Sequence, residues 1–218
     1  MSSIPVVPVS DPFTGFAAED FGSFHIDGLE PRMEAIRTRI QPKFRAIAAE
    51  LIQPLSAFAG TELYLHIAKH ARRTVNAPVD TWMAFAHDKR GYKQHPHFQI
   101  GLFDDHVFVW LAYIYELPNK QQMARRLLDQ TDDVLQLLDG GYQLSFDHMK
   151  KTNVTLQELG ESGWRDAVQR FHDVKKAELL IGRTFPAGSP IVEDGERFIR
   201  EALQTFETLA PIYRMTAG

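Results

Sequence analysis

Between His66 and Leu102 the chain reads HIAKHARRTVNAPVDTWMAFAHDKRGYKQHPHFQIGL, and this stretch carries five of the nine histidines. It also holds six Lys/Arg against only Asp80 and Asp88, so residues 63–98 are net +4 in a chain of net charge −4. Arg72 and Arg73 offer guanidinium forks that match the oxygens of phosphate or carboxylate. Lys69 and His70 stand immediately before them. Lys89, Arg90 and Lys93 form a cationic turn in which Gly91 permits close backbone approach, and Tyr92 adds a hydroxyl and a ring. His95 and His97, two apart, share a face if that segment is extended. These ten residues are the candidate ligand-binding set, and the ligand class they fit is a small phosphate- or carboxylate-bearing anion. The plainer reading is that the turn is polar because turns are, and that the histidines satisfy hydrogen bonds at a sheet edge.

Other chemistries fit less well. Two histidine pairs, His66/His70 and His95/His97, are nitrogen ligands that a first-row metal favours, which keeps a metal-dependent hydrolase as an alternative. Cations beside them raise the cost of a second positive charge, HExxH is absent, and no metal or other cofactor is assigned. There is no GxxxxGK[ST] loop, no GxGxxG and no GxSxG, and the histidines lack the paired His-x-Thr/Ser spacing of one phosphoesterase class. Imidazole acid–base catalysis stays open, with no nucleophile to name. A second basic block, residues 30–45 at net +3, raises the alternative of nucleic-acid association, which the overall acidity disfavours.

The elements that position these residues follow from periodicity. Met33, Ile36, Ile40, Phe44, Ile47, Leu51, Leu55 and Phe58 step by three and four, as on one helix face, with Pro42 and Pro54 expected to break it. Arg32, Arg37, Arg39, Lys43 and Arg45 lie off that stripe and are expected mostly in solvent. Strands are predicted at 63–67, 80–86, 95–103, 106–116, 142–147 and 177–185, separated by short polar turns that force antiparallel neighbours. Helices are predicted from Asn119 to about Leu138, from Ser162 through Trp164, Val168 and Phe171, and from Asp194 to the end. The fold class is α+β: a central antiparallel or mixed sheet of about five or six strands, packed with N- and C-terminal helices. In such a sheet the Arg72–Arg73 end and the 88–93 turn lie at opposite ends of the Asp80 strand, which weakens a single-pocket reading. Trp82 and Trp110 read as sheet packing.

Length and an apolar content of 44% suit one domain over 13–218, preceded by a flexible Pro-rich tail at 1–12. No cysteine is present, no secretory signal is visible at the start, and the longest apolar run, Val107 to Tyr115, is too short for a bilayer. A cytoplasmic setting with no membrane partner is the expectation; the oligomeric state and any catalytic activity are left open.

The segments HIAKHARRTVNAPVDTWMAF, KRGYK, PHFQIGLF, HVFVWLAYIYE and VKKAELLIGRTF resemble the YktB-like family of bacterial proteins, a domain of unknown function, and the likeness runs from about residue 13 onward. FAAEDFGSFHIDGLEPRMEAIRTRIQPKF fits it too. The resemblance implies a compact cytoplasmic α+β domain with an antiparallel sheet, and it brings no activity or catalytic residue. The chain departs from the pattern in its Pro-rich start and in Phe103, which stands where a Trp is expected.

Overall fold

A computed structural model describes residues 12–71 and 73–217. The Pro-rich segment, apart from Pro12, and Arg72 lie outside the described residues.

The apolar stripe forms α2 (Leu29–Ala35), one π-helical turn at Ile36–Ile40, and α3 (Gln41–Ala59), after a short α1 (Ala18–Gly22). Pro42 has no N–H for the carbonyl four residues back, and the chain meets this with the π turn before Pro42 enters the first turn of α3. Pro54, expected to break the helix, sits inside α3 without ending it. From Met33 to Leu55 every residue of the stripe is buried. Arg32 is not a solvated side chain: its Nε and Nη1 donate to the carbonyls of Ile26 and Pro78, both at 2.9 Å.

The sheet is antiparallel throughout and has seven strands, one more than the upper expectation. They are β1 (Tyr64–Ile67), β2 (Thr81–Ala86), β3 (His97–Leu102), β4 (His106–Tyr113), β5 (Gln143–Ser145), β6 (Val154–Thr155) and β7 (Leu179–Pro186), in the order β1-β2-β3-β4-β7-β5-β6. The extra strand, β6, has two residues, too few to show alternation. Thr155 pairs with Gln143 and then caps α6 (Leu156–Asp173) in a box with Glu158, so that helix starts well before Ser162. Gly160, at φ 64°, interrupts it, which is why the apolar pattern resumes only near Trp164.

The helix expected over 119–138 is two, α4 (Lys120–Asp129) and α5 (Thr131–Leu137). The Thr131 hydroxyl donates back to the Leu128 carbonyl at 2.9 Å, competing with the backbone ladder at the break. A single turn, α7 (Pro190–Glu193), leads into α8 (Gly195–Ala217). No described helix is long and apolar enough to cross a membrane.

Pleating sorts the sheet into two unlike faces. Met83, Phe85, Phe98, Ile100, Val109 and Leu111 point into the main core, built with α3, α6 and α8. Trp82, Phe108, Trp110, Ala112 and Leu180 form a smaller cluster on the other face. By the pairing register, His66, Ala84, His97 and Gln99 share that second face. Glycines make room for its rings: a Cβ on Gly101 would lie 2.3 Å from Phe108, and one on Gly182 would lie 2.8 Å from Trp110. Met149 packs on this cluster from the 146–152 loop, and Ala68 belongs to it. Lys69, His70, Arg73, Tyr92 and Lys93 gather around Trp82 on this side.

Candidate anion-binding site

Two chain segments converge on Trp82. After β1, the Ala68 amide donates to the Trp82 carbonyl at 2.9 Å, which keeps the following residues alongside β2. His70 then adopts φ 49°, uncommon for a residue with a Cβ, its Nε2 lying 3.2 Å from the Thr81 hydroxyl and its ring edge-on to Trp82 at 5.5 Å. From the far end of β2 the turn doubles back: Gly91 takes φ 68°, and Tyr92–Gln94 makes one 3-10 turn. Trp82 Nε1 donates to the Tyr92 hydroxyl at 2.8 Å, and Lys93 Nζ sits 5.4 Å above the Trp82 ring. The result is a cavity of about 340 Å³ lined by Lys69, His70, Arg73, Trp82, Tyr92, Lys93 and Glu116 among others.

Five of the ten predicted site residues therefore line one hollow. His97 lies beneath it, fully buried, its ring 5.0 Å from that of Tyr92 and its Nδ1–H given to the His95 carbonyl at 2.9 Å. Three residues are not brought there. Lys89 rests over the Tyr64 ring at 4.9 Å, the Arg90 amide donates to Asp88, and His95 packs on His87 with ring centroids 4.3 Å apart. Arg72 lies outside the described residues.

Lys93 also borders a second, larger cavity of about 630 Å³, floored by His148 and Glu178 and edged by Lys150, Arg170 and Lys176. Both Glu178 oxygens lie within 2.9 Å of His148 Nδ1, and one also accepts the His148 amide at 2.8 Å. Glu178 and His148 are 5% and 8% exposed at their side chains, which makes this pair the floor rather than the rim. Buried Lys120 fixes the adjoining loop by donating to the carbonyls of Val174, Lys175 and Ala177. Neither His148 nor Glu178 was among the predicted residues. The one signal for Glu178 was a lone carboxylate at the head of the apolar run LLIG.

A family model described as a domain of unknown function, DUF1054, matches residues 16–213. The chain belongs to the DUF1054 family. This is the uncharacterised bacterial grouping that its segments resemble. UPF0637 proteins of Shouchella clausii and Oceanobacillus iheyensis are each 52% identical to it, over 95% and 92% of this chain and 98% and 96% of theirs. A UPF0637 protein of Listeria monocytogenes is 44% identical over 93% of this chain and 97% of its own. The family is one of unknown function.

Electrostatics mark the same region of this DUF1054 domain. Lys69, Arg73, Arg170 and Lys176 have no carboxylate partner among the described residues, while Lys93 Nζ reaches Glu116 only at 4.0 Å. Asp80, at the head of β2, is wholly buried, and neither carboxylate oxygen has a hydrogen-bond partner among the described residues. Burial pushes its carboxyl up to about 6, partly opposed by the neighbouring His148, Arg73 and Lys93. Burial likewise lowers His70 to about 4, helped by Arg73 and Lys93, and lowers His97 to about 4. Tyr92 is raised to about 12 by burial. Near neutrality His70 and His97 carry no charge and Tyr92 keeps its proton, so the fixed positive charge comes from Lys and Arg, and Asp80 is the group of this set that titrates closest to neutrality.

The four histidines considered as metal ligands are not gathered at one point. Among the described residues, Asp147, His148 and Glu178 do have donor atoms within 4.8 Å of one another. Their carboxylates are already engaged, Glu178 by His148 and Asp147 by the Met149 amide and Lys150, and the surrounding side chains are cationic.

Proposed function

We propose that this domain binds a small phosphate- or carboxylate-bearing ligand across the two hollows that meet at Lys93. The observation that carries the reading is the placement of Lys93 over Trp82, between Arg73 and Lys69 on one side and Arg170 and Lys176 on the other. Cations converging on one concave, half-apolar surface, of which Lys93 alone has a carboxylate within 4.0 Å among the described residues, attract and orient an anion, and guanidinium adds bidentate geometry. We place the protein in the cytoplasm, which its lack of cysteine suits.

The test is thermal stabilisation by inorganic phosphate, pyrophosphate and citrate. A ligand at a hundred times its dissociation constant adds about 2.7 kcal/mol, several degrees for a chain of this size. Arg73→Ala with Lys93→Met should abolish the shift, and Lys89→Ala with Arg90→Ala should leave it. Equal shifts in both double variants would end the proposal. Nucleic-acid association, which needs the 30–45 block as well, finds less support. There Arg37 pairs with Glu34, Arg39 with Glu19 and Lys43 with Asp20.

A further inference from the structure

His148 and Glu178 do more than fill space at the floor of the larger cavity. Glu178 is buried, and among the described residues its hydrogen bonds all go to one residue, the ring and amide of His148. A carboxylate placed this way accepts the hydrogen bond of Nδ1–H and so sets both the tautomer and the orientation of the imidazole. The Trp82 ring, edge-on at 5.9 Å, holds the imidazole from another side. With Nδ1 engaged as the donor, Nε2 is the ring nitrogen left to act as an acceptor. Nε2 has no hydrogen-bond partner among the described residues, yet it is not among the side-chain atoms sealed from solvent. His148 lines a cavity edged by Lys93, Arg170 and Lys176, with the exposed rings of Tyr115 and Phe146 beside them. A base oriented by a third group, next to cations that can hold a charged substrate, is the arrangement hydrolytic sites use.

We propose that this cavity hydrolyses phosphate esters, with His148 as the general base and Glu178 as its positioning residue. The inference rests on the anion-binding reading for how the substrate is held. Water attacks phosphorus while its proton passes to His148 Nε2. The bond from phosphorus to the leaving oxygen breaks on the opposite side, the leaving oxygen takes a proton from solvent water, and the imidazolium gives its proton back to solvent. One ester and one water give one phosphate and one alcohol, and His148 ends neutral. Lys93, Arg170 and Lys176 bear the charge on the phosphoryl oxygens, and Tyr115 and Phe146 suit an aromatic ester group.

The experiment uses the full chain with p-nitrophenyl phosphate and bis(p-nitrophenyl) phosphate, reading release of p-nitrophenolate, alongside thermal stabilisation by inorganic phosphate. At least one ester should be turned over. His148→Gln, whose amide can still donate to Glu178, should lose about 100-fold or more while keeping the phosphate shift. Free imidazole should restore part of the loss in His148→Ala, which a purely structural role would not allow. Glu178→Gln should lower kcat by about tenfold at unchanged KM. Phosphate stabilisation without turnover of either ester overturns the catalytic inference and leaves the binding reading standing. So does full activity in His148→Gln. Loss of activity in EDTA with recovery on adding a divalent ion overturns it too, reassigning the pair to metal binding. Turnover that depends on His148 in a protein that phosphate does not stabilise upholds the catalytic inference and removes the binding reading.

Discussion

The indole N–H of Trp82 donates to the Tyr92 hydroxyl at 2.8 Å, and that bond ties the head of β2 to a turn that begins at its other end. Tyr92→Phe leaves the indole donor unsatisfied in a largely buried setting. The expected cost is about 1–2 kcal/mol by denaturant unfolding. Because Lys93 follows Tyr92, the phosphate-induced thermal shift should fall as well; an unchanged shift would mean that the turn is not what places Lys93.

Asp80 carries a buried charge whose carboxylate oxygens have no hydrogen-bond partner among the described residues. Asp80→Asn removes the desolvated charge without changing the side-chain shape. Near pH 7.5 it should raise stability by roughly 1–3 kcal/mol, and it should tighten phosphate binding by deleting a negative charge that feels Arg73 and Lys93. Urea melts and a phosphate titration read the two effects separately. A destabilised Asn variant would show that the carboxylate is already compensated.

Acid lability follows from the buried histidines. His97 titrates at about 4 when folded against an ordinary value of 6.5, so the unfolded chain binds the extra proton between those values. The part of the stability that rests on neutral His97 is complete above pH 6.5 and is lost as pH falls towards 4, on the order of 3 kcal/mol. His70 acts in the same direction. Asp80 opposes them, since its folded value near 6 lies above its ordinary one and its penalty fades between pH 6 and 4. Melting temperatures from pH 7.5 to 4 should therefore fall in the wild type, fall less in His97→Gln, and fall more steeply in Asp80→Asn.

Gly182 lies on β7 against β4, where an added Cβ would stand 1.9 Å from the Val109 carbonyl and 2.8 Å from the Trp110 ring. Gly182→Ala should cost about 1–3 kcal/mol, because neither backbone nor indole can yield cheaply in a packed sheet. Chemical denaturation of that variant beside Gly22→Ala, where a Cβ meets nothing within 4 Å, provides the control.

Much was legible in the residues alone. Alternation and turn signals placed six of the seven strands and their antiparallel order through β2, β3 and β4, because a half-buried strand writes its faces into the sequence every second residue. The stripe from Met33 to Leu55 foretold the helical layer for the same reason, at the helical period. The breaks were less legible. A π turn at Ile36–Ile40 and a back-bonded Thr131 are answers to backbone hydrogen bonding that a pattern of apolar residues does not record.

By itself, then, the sequence determined the α+β class, the family, and the unusual density of cations and histidines between residues 66 and 97. Which of those charges meet was decided only in three dimensions. Lys93 and Arg73 are twenty residues apart and start from opposite ends of β2. They share a hollow because the 3-10 turn at Tyr92–Gln94 folds back onto Trp82. Lys89, Arg90 and His95 belong to the same short stretch and turn elsewhere. His148 and Glu178, thirty residues apart with no motif between them, pair across the 146–152 loop and the head of β7. Charge and periodicity act locally along the chain. The direction a turn takes, and the partner a buried carboxylate finds, are set by the packing of segments far apart in sequence.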